Sequence, residues 1–96
     1  MAFYRLYTLS AAPERLDQLR SALTALTQAL AAVPGFEGSQ TLGDVDQAGR
    51  VLFIERWSSA QAHKSGAASL DKKLFAGIMD AVAAPPESAS FIDLDN

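Results

Sequence analysis

Large apolar side chains recur along this chain in two rhythms, and the switches between them mark the elements. Phe3 to Leu9 alternates strand formers, with Phe3, Arg5, Tyr7 and Leu9 on one face and Tyr4, Leu6 and Thr8 on the other. Bulk on both faces predicts a central strand. Leu16, Leu19, Leu23, Leu26, Leu30 and Val33 then repeat at spacings of three and four, which predicts a one-sided helix of about five turns. Pro13 is expected in its first turn, where the missing N–H costs nothing, with Glu14 and Asp17 near the positive end of the helix dipole. Pro34-Gly35 ends it.

Phe36 to Leu42 returns to the two-residue period, and its polar set, Glu37, Ser39 and Thr41, suits an edge strand. Gly43 to Gly49 is rich in turn formers and leads back into Arg50–Trp57, a β-branched and aromatic strand that carries Glu55 and Arg56 inside it. Ser58-Ser59 starts helical sequence that runs to about Ala84. Its stripe is His63, Ala67, Leu70, Leu74, Ile78 and Ala81, with Phe75, Met79 and Val82 beside it. Ser69-Leu70-Asp71 allows a break near Gly66–Ser69, Pro85-Pro86 ends the region, and Ser88 to Leu94 reads as a last strand.

The order β-α-β-β-α-β, with right-handed crossovers, predicts an α+β ferredoxin-like domain over residues 1–96. Its four-stranded antiparallel sheet has strands one and three in the centre and helices on one face only. Apolar groups from those two strands on the other face need cover, most simply a second copy of the chain. A homodimer with sheets back to back is therefore expected.

Composition narrows the function. A net charge of −3, with no cluster of Lys or Arg, argues against nucleic acid or an anionic membrane as partner. No apolar run approaches the roughly 20 residues that span a bilayer. Met-Ala-Phe-Tyr-Arg at the start enters a strand directly and does not resemble a signal peptide, so a cytoplasmic protein is the default expectation. The absence of Cys removes thiolate nucleophiles, disulfides, iron–sulfur clusters and Cys-type zinc sites. The single His has no carboxylates at metal-ligand spacing, so no metal is expected. Asp44, Asp46, Gly49 and Glu55 mimic the spacing of a calcium-binding EF-hand loop, but Ala48 removes a ligand and strands flank the segment. A hairpin loop with solvated acids accounts for it better.

Pro34-Gly35-Phe36, a hairpin, and Phe53-Ile54-Glu55-Arg56-Trp57 followed by Ser58-Ser59-Ala60-Gln61-Ala62-His63 resemble the antibiotic biosynthesis monooxygenase family, over nearly the whole chain. The resemblance implies a dimeric α+β barrel. Characterised relatives include cofactor-free oxygenases of anthrones and quinols, haem-degrading enzymes, and an isomerase of a small signalling molecule. Family members often carry a His nine residues after the strand Trp; here that position is Gly66, and His63 stands one turn earlier. The further Trp and His of the haem-degrading branch are missing.

Oxygenation without a cofactor requires the substrate to supply the electrons, as the anion of a quinol or anthrone does. The protein then supplies a dry aromatic cavity, donors for the anion and a base. His63, Trp57 and Arg56 are the expected catalytic residues, and Tyr4, Arg5, Tyr7 and Phe75 the expected substrate-binding ones. His63 is the only side chain whose ordinary pKa lies near neutrality. Glu55 is expected in a structural ion pair with Arg5 or Arg56. The leading expectation is a cofactor-independent monooxygenase of a small electron-rich aromatic, and the rival is a non-catalytic dimeric small-ligand-binding protein of the same fold.

Overall fold

The computed structural model describes residues 2–95. Along the chain come β1 (Phe3–Ser10), α1 (Leu16–Leu30), β2 (Phe36–Gly43), β3 (Arg50–Trp57), α2 (Ala60–Ser69), α3 (Lys72–Ala81) and β4 (Glu87–Ile92). The strands lie in the order β2-β3-β1-β4 and every neighbouring pair is antiparallel. This is the ferredoxin-like sheet, with β1 and β3 central. Leu19, Leu23, Leu26 and Leu30, one stripe of α1, are buried in a core that also holds Val51, Phe53 and Trp57 from one face of β3. The period of two in the strand and of 3.6 in the helix thus meet at one apolar layer.

Four boundaries differ from the sequence pattern by two residues or more, each for a local reason. Helix α1 begins at Leu16 because Ala11 and Ala12 are still tied down, their N–H groups donating to Gly49 and Ala81 carbonyls at 2.8 Å. The chain then turns at Pro13-Glu14, with Glu14 in the left-handed region at φ 65°. At its other end α1 gives way after Leu30 to tighter turns, Val33 N–H donating to Leu30 C=O at 2.9 Å. The last helix stops at Ala81 because Val82 bridges Ala11 and Ala83 N–H donates to Ser10 C=O at 2.8 Å. Strand β4 stops at Ile92 because its partner there is Phe3, where β1 begins; Leu94 is solvent-exposed. The allowed break in the long helical region is real. Leu70 is extended, and the Asp71 carboxylate caps α3 by accepting from Lys73 N–H at 2.9 Å.

Two glycines explain the spacing around the strand-to-helix junction. Gly35 has φ 86°, and a Cβ there would lie 2.5 Å from the Cβ of Ala62, so α2 crosses against bare backbone. Gly66 packs on the indole of Trp57. A Cβ at this position would sit 2.8 Å from Cη2 and Cζ3 of that ring and 2.6 Å from Cγ1 of Val33.

The helix-free face carries Tyr4, Leu6 and Thr8 of β1, opposite Arg56, Ile54 and Leu52 of β3. Leu42 of β2 and Phe91 of β4, both exposed, extend it. Ion pairing frames one end: Arg56 Nε donates to Glu37 at 3.1 Å and its guanidinium lies 5.7 Å from the centre of the Tyr4 ring, while Tyr4 O–H donates to Asp93 at 2.9 Å. No helix among the described residues is long and apolar enough to cross a membrane.

Gly66→Ala is expected to destabilise the fold by about 1–3 kcal/mol, because the buried Trp57 ring, held by Phe36 and His63, has no room to withdraw. Gly77, inside α3, offers the control: its added Cβ would meet only Ala22 Cβ, at 3.9 Å. Gly77→Ala is expected to stabilise by about 0.5–1 kcal/mol through helix propensity. Thermal unfolding of the two variants, which should move in opposite directions, checks both.

Candidate active site

The antiparallel register of β1 and β3 sets Phe3 opposite Trp57, Arg5 opposite Glu55 and Tyr7 opposite Phe53, all on the helix-covered face. Glu55 and Trp57, two residues apart, therefore point the same way, and the Trp57 indole N–H donates to Glu55 Oε1 at 3.0 Å. Trp57 is fixed from three further sides. Phe36 meets it edge-on at 5.3 Å, His63 edge-on at 5.4 Å, and Gly66 lies against its six-membered ring. Its donor is thereby aimed at one place.

Between sheet and helices lies a partly open cavity of about 180 Å³. Its floor is Tyr7, Phe53 and Glu55; Leu23 and Leu26 of α1 form the back, and Phe75 and Met79 of α3 the roof. The walls are apolar except for the Glu55 carboxylate, the Tyr7 hydroxyl and Ser88 at the rim. Glu55 is 4% exposed and is the only charged side chain buried among the described residues. Burial pushes its pKa up, against the opposing pull of the Trp57 hydrogen bond and of Arg5. Beyond the indole, the carboxylate takes no side-chain or backbone donor among the described residues. Burial also raises the Tyr7 pKa, helped by Glu55 and opposed by Arg5, so this phenol stays protonated. Tyr7 Oη accepts from Arg5 Nε at 3.4 Å, and Arg5 Nη1 donates to Ser90 at 2.7 Å. The cavity thus holds a carboxylate ready to accept a proton, a phenol able to donate one, and a guanidinium behind them.

The residues expected from sequence divide by the pleat. Tyr7 and Phe75 line the cavity, and Arg5 and Trp57 stand directly behind its polar groups. His63 belongs to the layer beyond, between Trp57 and Phe3, whose ring is 5.6 Å away. Burial, then Arg5, lower its pKa, so the imidazole is neutral at pH 7. Tyr4 and Arg56 are on the opposite face of the sheet and are not brought together with the others. The ion pair expected for Glu55 is not formed. Arg56 pairs with Glu37 across the sheet, and Arg5, although directly opposite Glu55, bonds to Tyr7 and Ser90 instead. Glu55 is accordingly the cavity's central group, and sequence reasoning gave it only a structural part. The signal lay in its position: a charge in an apolar strand, two residues before a Trp that can hold it. Asp44, for its part, closes the hairpin loop by accepting from the N–H groups of Asp46 and Gln47 at 2.8 and 3.1 Å. Among the described residues no cluster of three His, Asp or Glu side chains is arranged to hold a metal ion.

Residues 2–69 match the family profile of the antibiotic biosynthesis monooxygenases, and the chain belongs to that family. Comparison with curated proteins finds no match. Among solved structures the fold is similar to Rv0793 from Mycobacterium tuberculosis (18% identity, TM-score 0.87), covering 100% of this chain and 98% of that one. It is similar also to SnoaB, a cofactor-independent oxygenase from Streptomyces nogalater, with 14% identity and a TM-score of 0.89 over 99% of this chain and 95% of that one. A conserved protein from Methanosarcina mazei matches at 13% identity and a TM-score of 0.86, covering 95% and 91%. Identities this low establish the fold alone.

Because Glu55 has its folded-state pKa raised, the folded chain holds that proton more tightly than the unfolded one. Its contribution to stability is complete below the ordinary carboxylate pKa and is lost as pH rises through the raised value. Glu55→Gln, which keeps an acceptor for the indole, is expected to melt a few degrees above wild type at pH 7. The difference should shrink toward pH 4, which melting curves across that range check.

Proposed function

We propose that this protein is a cofactor-independent monooxygenase that oxidises a small electron-rich aromatic, of quinol or anthrone type, with O₂. Its main support is the Glu55 carboxylate, buried, raised in pKa and open to an apolar cavity. Membership of the family and the fold shared with SnoaB agree with it. Glu55 takes the acidic proton of the bound substrate. The Tyr7 hydroxyl donates to the resulting oxyanion, with Arg5 behind it favouring negative charge at that spot. The anion passes electrons to O₂, and the apolar walls keep water away. For a hydroquinone the balance is one O₂ consumed, one oxygen atom entering the ring to give a hydroxyquinone, and the other leaving as water. For an anthrone, the ring CH₂ becomes a carbonyl and its two hydrogens leave as water.

Oxygen uptake with a panel of hydroquinones and anthrones tests this. Glu55→Gln is expected to lower kcat/KM by about 10²-fold or more, the usual worth of a positioned base. The wild-type profile should rise with pH through a midpoint above the ordinary carboxylate range. Trp57→Phe should move that midpoint higher still, because the lost indole hydrogen bond is the larger of the two influences, with Arg5, that lower the Glu55 pKa. His63→Ala, outside the cavity, should cost less than Glu55→Gln. Ligand-induced thermal stabilisation with no turnover across the panel would instead favour a non-catalytic binding protein of the same fold.

The functional unit is proposed to be a homodimer joined through the helix-free faces. Leu6, Leu52 and Ile54 are half-buried there, and Leu42 and Phe91 are exposed, an apolar surface that a second sheet would cover. Sedimentation is expected to give a dimer for wild type and a monomer for Ile54→Asp. A wild-type monomer in dilute solution would overturn this part.

A further inference from the structure

We propose that the cavity admits a single aromatic ring and that Phe75 and Met79 set this limit, which narrows the substrate to one-ring hydroquinones. The inference rests on the cavity being the substrate site. A cavity of about 150 Å³ is enough to bind benzene. At about 180 Å³ this one holds a ring with small substituents, and two further fused rings would reach the open side, where Phe75 and Met79 would have to move aside.

The walls differ in how far they can give. Leu23, Leu26 and Phe53 are buried in the core, and Tyr7 and Glu55 stand on the two central strands. The roof is different. Helix α3 packs chiefly on α1 and presents Phe75 and Met79, one turn apart on one face, at the open side of the cavity. They are 39% and 49% exposed, whereas Ile78 between them is 7% exposed and anchors the helix. The helix itself is held by Ile78 and Ala81, both buried in the core, and at its C-terminal end by Ala81 C=O accepting from Ala12 N–H and Ala83 N–H donating to Ser10 C=O, each at 2.8 Å. Room is therefore gained at the side chains and not by lifting the helix. Phe75 is stiff and Met79 adaptable, so Met79 is the finer control. A ring seated with its acidic group toward Glu55 brings any further fused ring against these two side chains.

Anaerobic calorimetry with methylhydroquinone and anthrone, alongside oxygen uptake with both, tests the limit. Wild type is expected to bind methylhydroquinone at least tenfold more tightly than anthrone. Met79→Ala, and more so Phe75→Ala with Met79→Ala, should shift that ratio at least tenfold toward anthrone. Met79→Trp, with unchanged melting temperature as the check on folding, should weaken methylhydroquinone at least tenfold. Equal binding of the two probes by wild type, binding of neither, or a ratio unmoved in the Ala variants, would overturn the size limit. Turnover of both probes alike would do so while leaving the oxygenase function standing. Selective binding of methylhydroquinone, shifted in the variants and without oxygen uptake, would uphold the limit and remove the oxygenase function.

Discussion

The hydrogen bond from the Trp57 indole to Glu55 is the constraint on which the site depends. A carboxylate inside an apolar layer is costly unless something holds its charge, and a single neutral donor holds it only in part. Glu55 is left with a raised affinity for protons and one direction in which to act. The indole performs this because it cannot move: Phe36, His63 and Gly66 close around it. Gly66 is thus part of the packing that orients the donor, since a Cβ there would lie 2.8 Å from the ring.

The pleat of the central strands then separates two tasks. Arg5, Tyr7, Glu55 and Trp57 face the helices, while Tyr4, Leu6, Ile54 and Arg56 face away. A one-residue slip of either strand would exchange the two sets, so register is the variable that decides whether a site exists. It is pinned by the core: Val51, Phe53 and Trp57 are buried together, and shifting β3 would place Leu52, Ile54 and Arg56 against α1 instead. Arg56, the exposed member of the Glu55-Arg56 pair, finds Glu37 across the sheet, an exposed contact worth little in stability.

The cavity exists because the helical layer is discontinuous. Had α2 and α3 continued as one helix, the stripe from His63 to Ala81 would have followed a single axis. The extended Leu70 and the Asp71 cap let α3 start afresh and pack on α1, so that Phe75 and Met79 overhang the sheet without filling the space above Tyr7 and Glu55. Two helices of ten residues each, separated by a capped break, thereby leave an opening above the sheet.

By itself the sequence determined the element order, the central and edge strands, and the stripe of leucines that meets the sheet. These follow from local periodicity, which needs no partner to be read. It also placed Glu55 and Trp57 on one face, because a spacing of two does so in any strand. Tertiary structure alone decided which arginine stands near the buried carboxylate, and that Tyr4 and Arg56 lie across the sheet from Tyr7 and Phe75. Cross-strand register depends on residues far apart in the chain, and so does the space left between α3 and the sheet. Neither is written in any local window of residues.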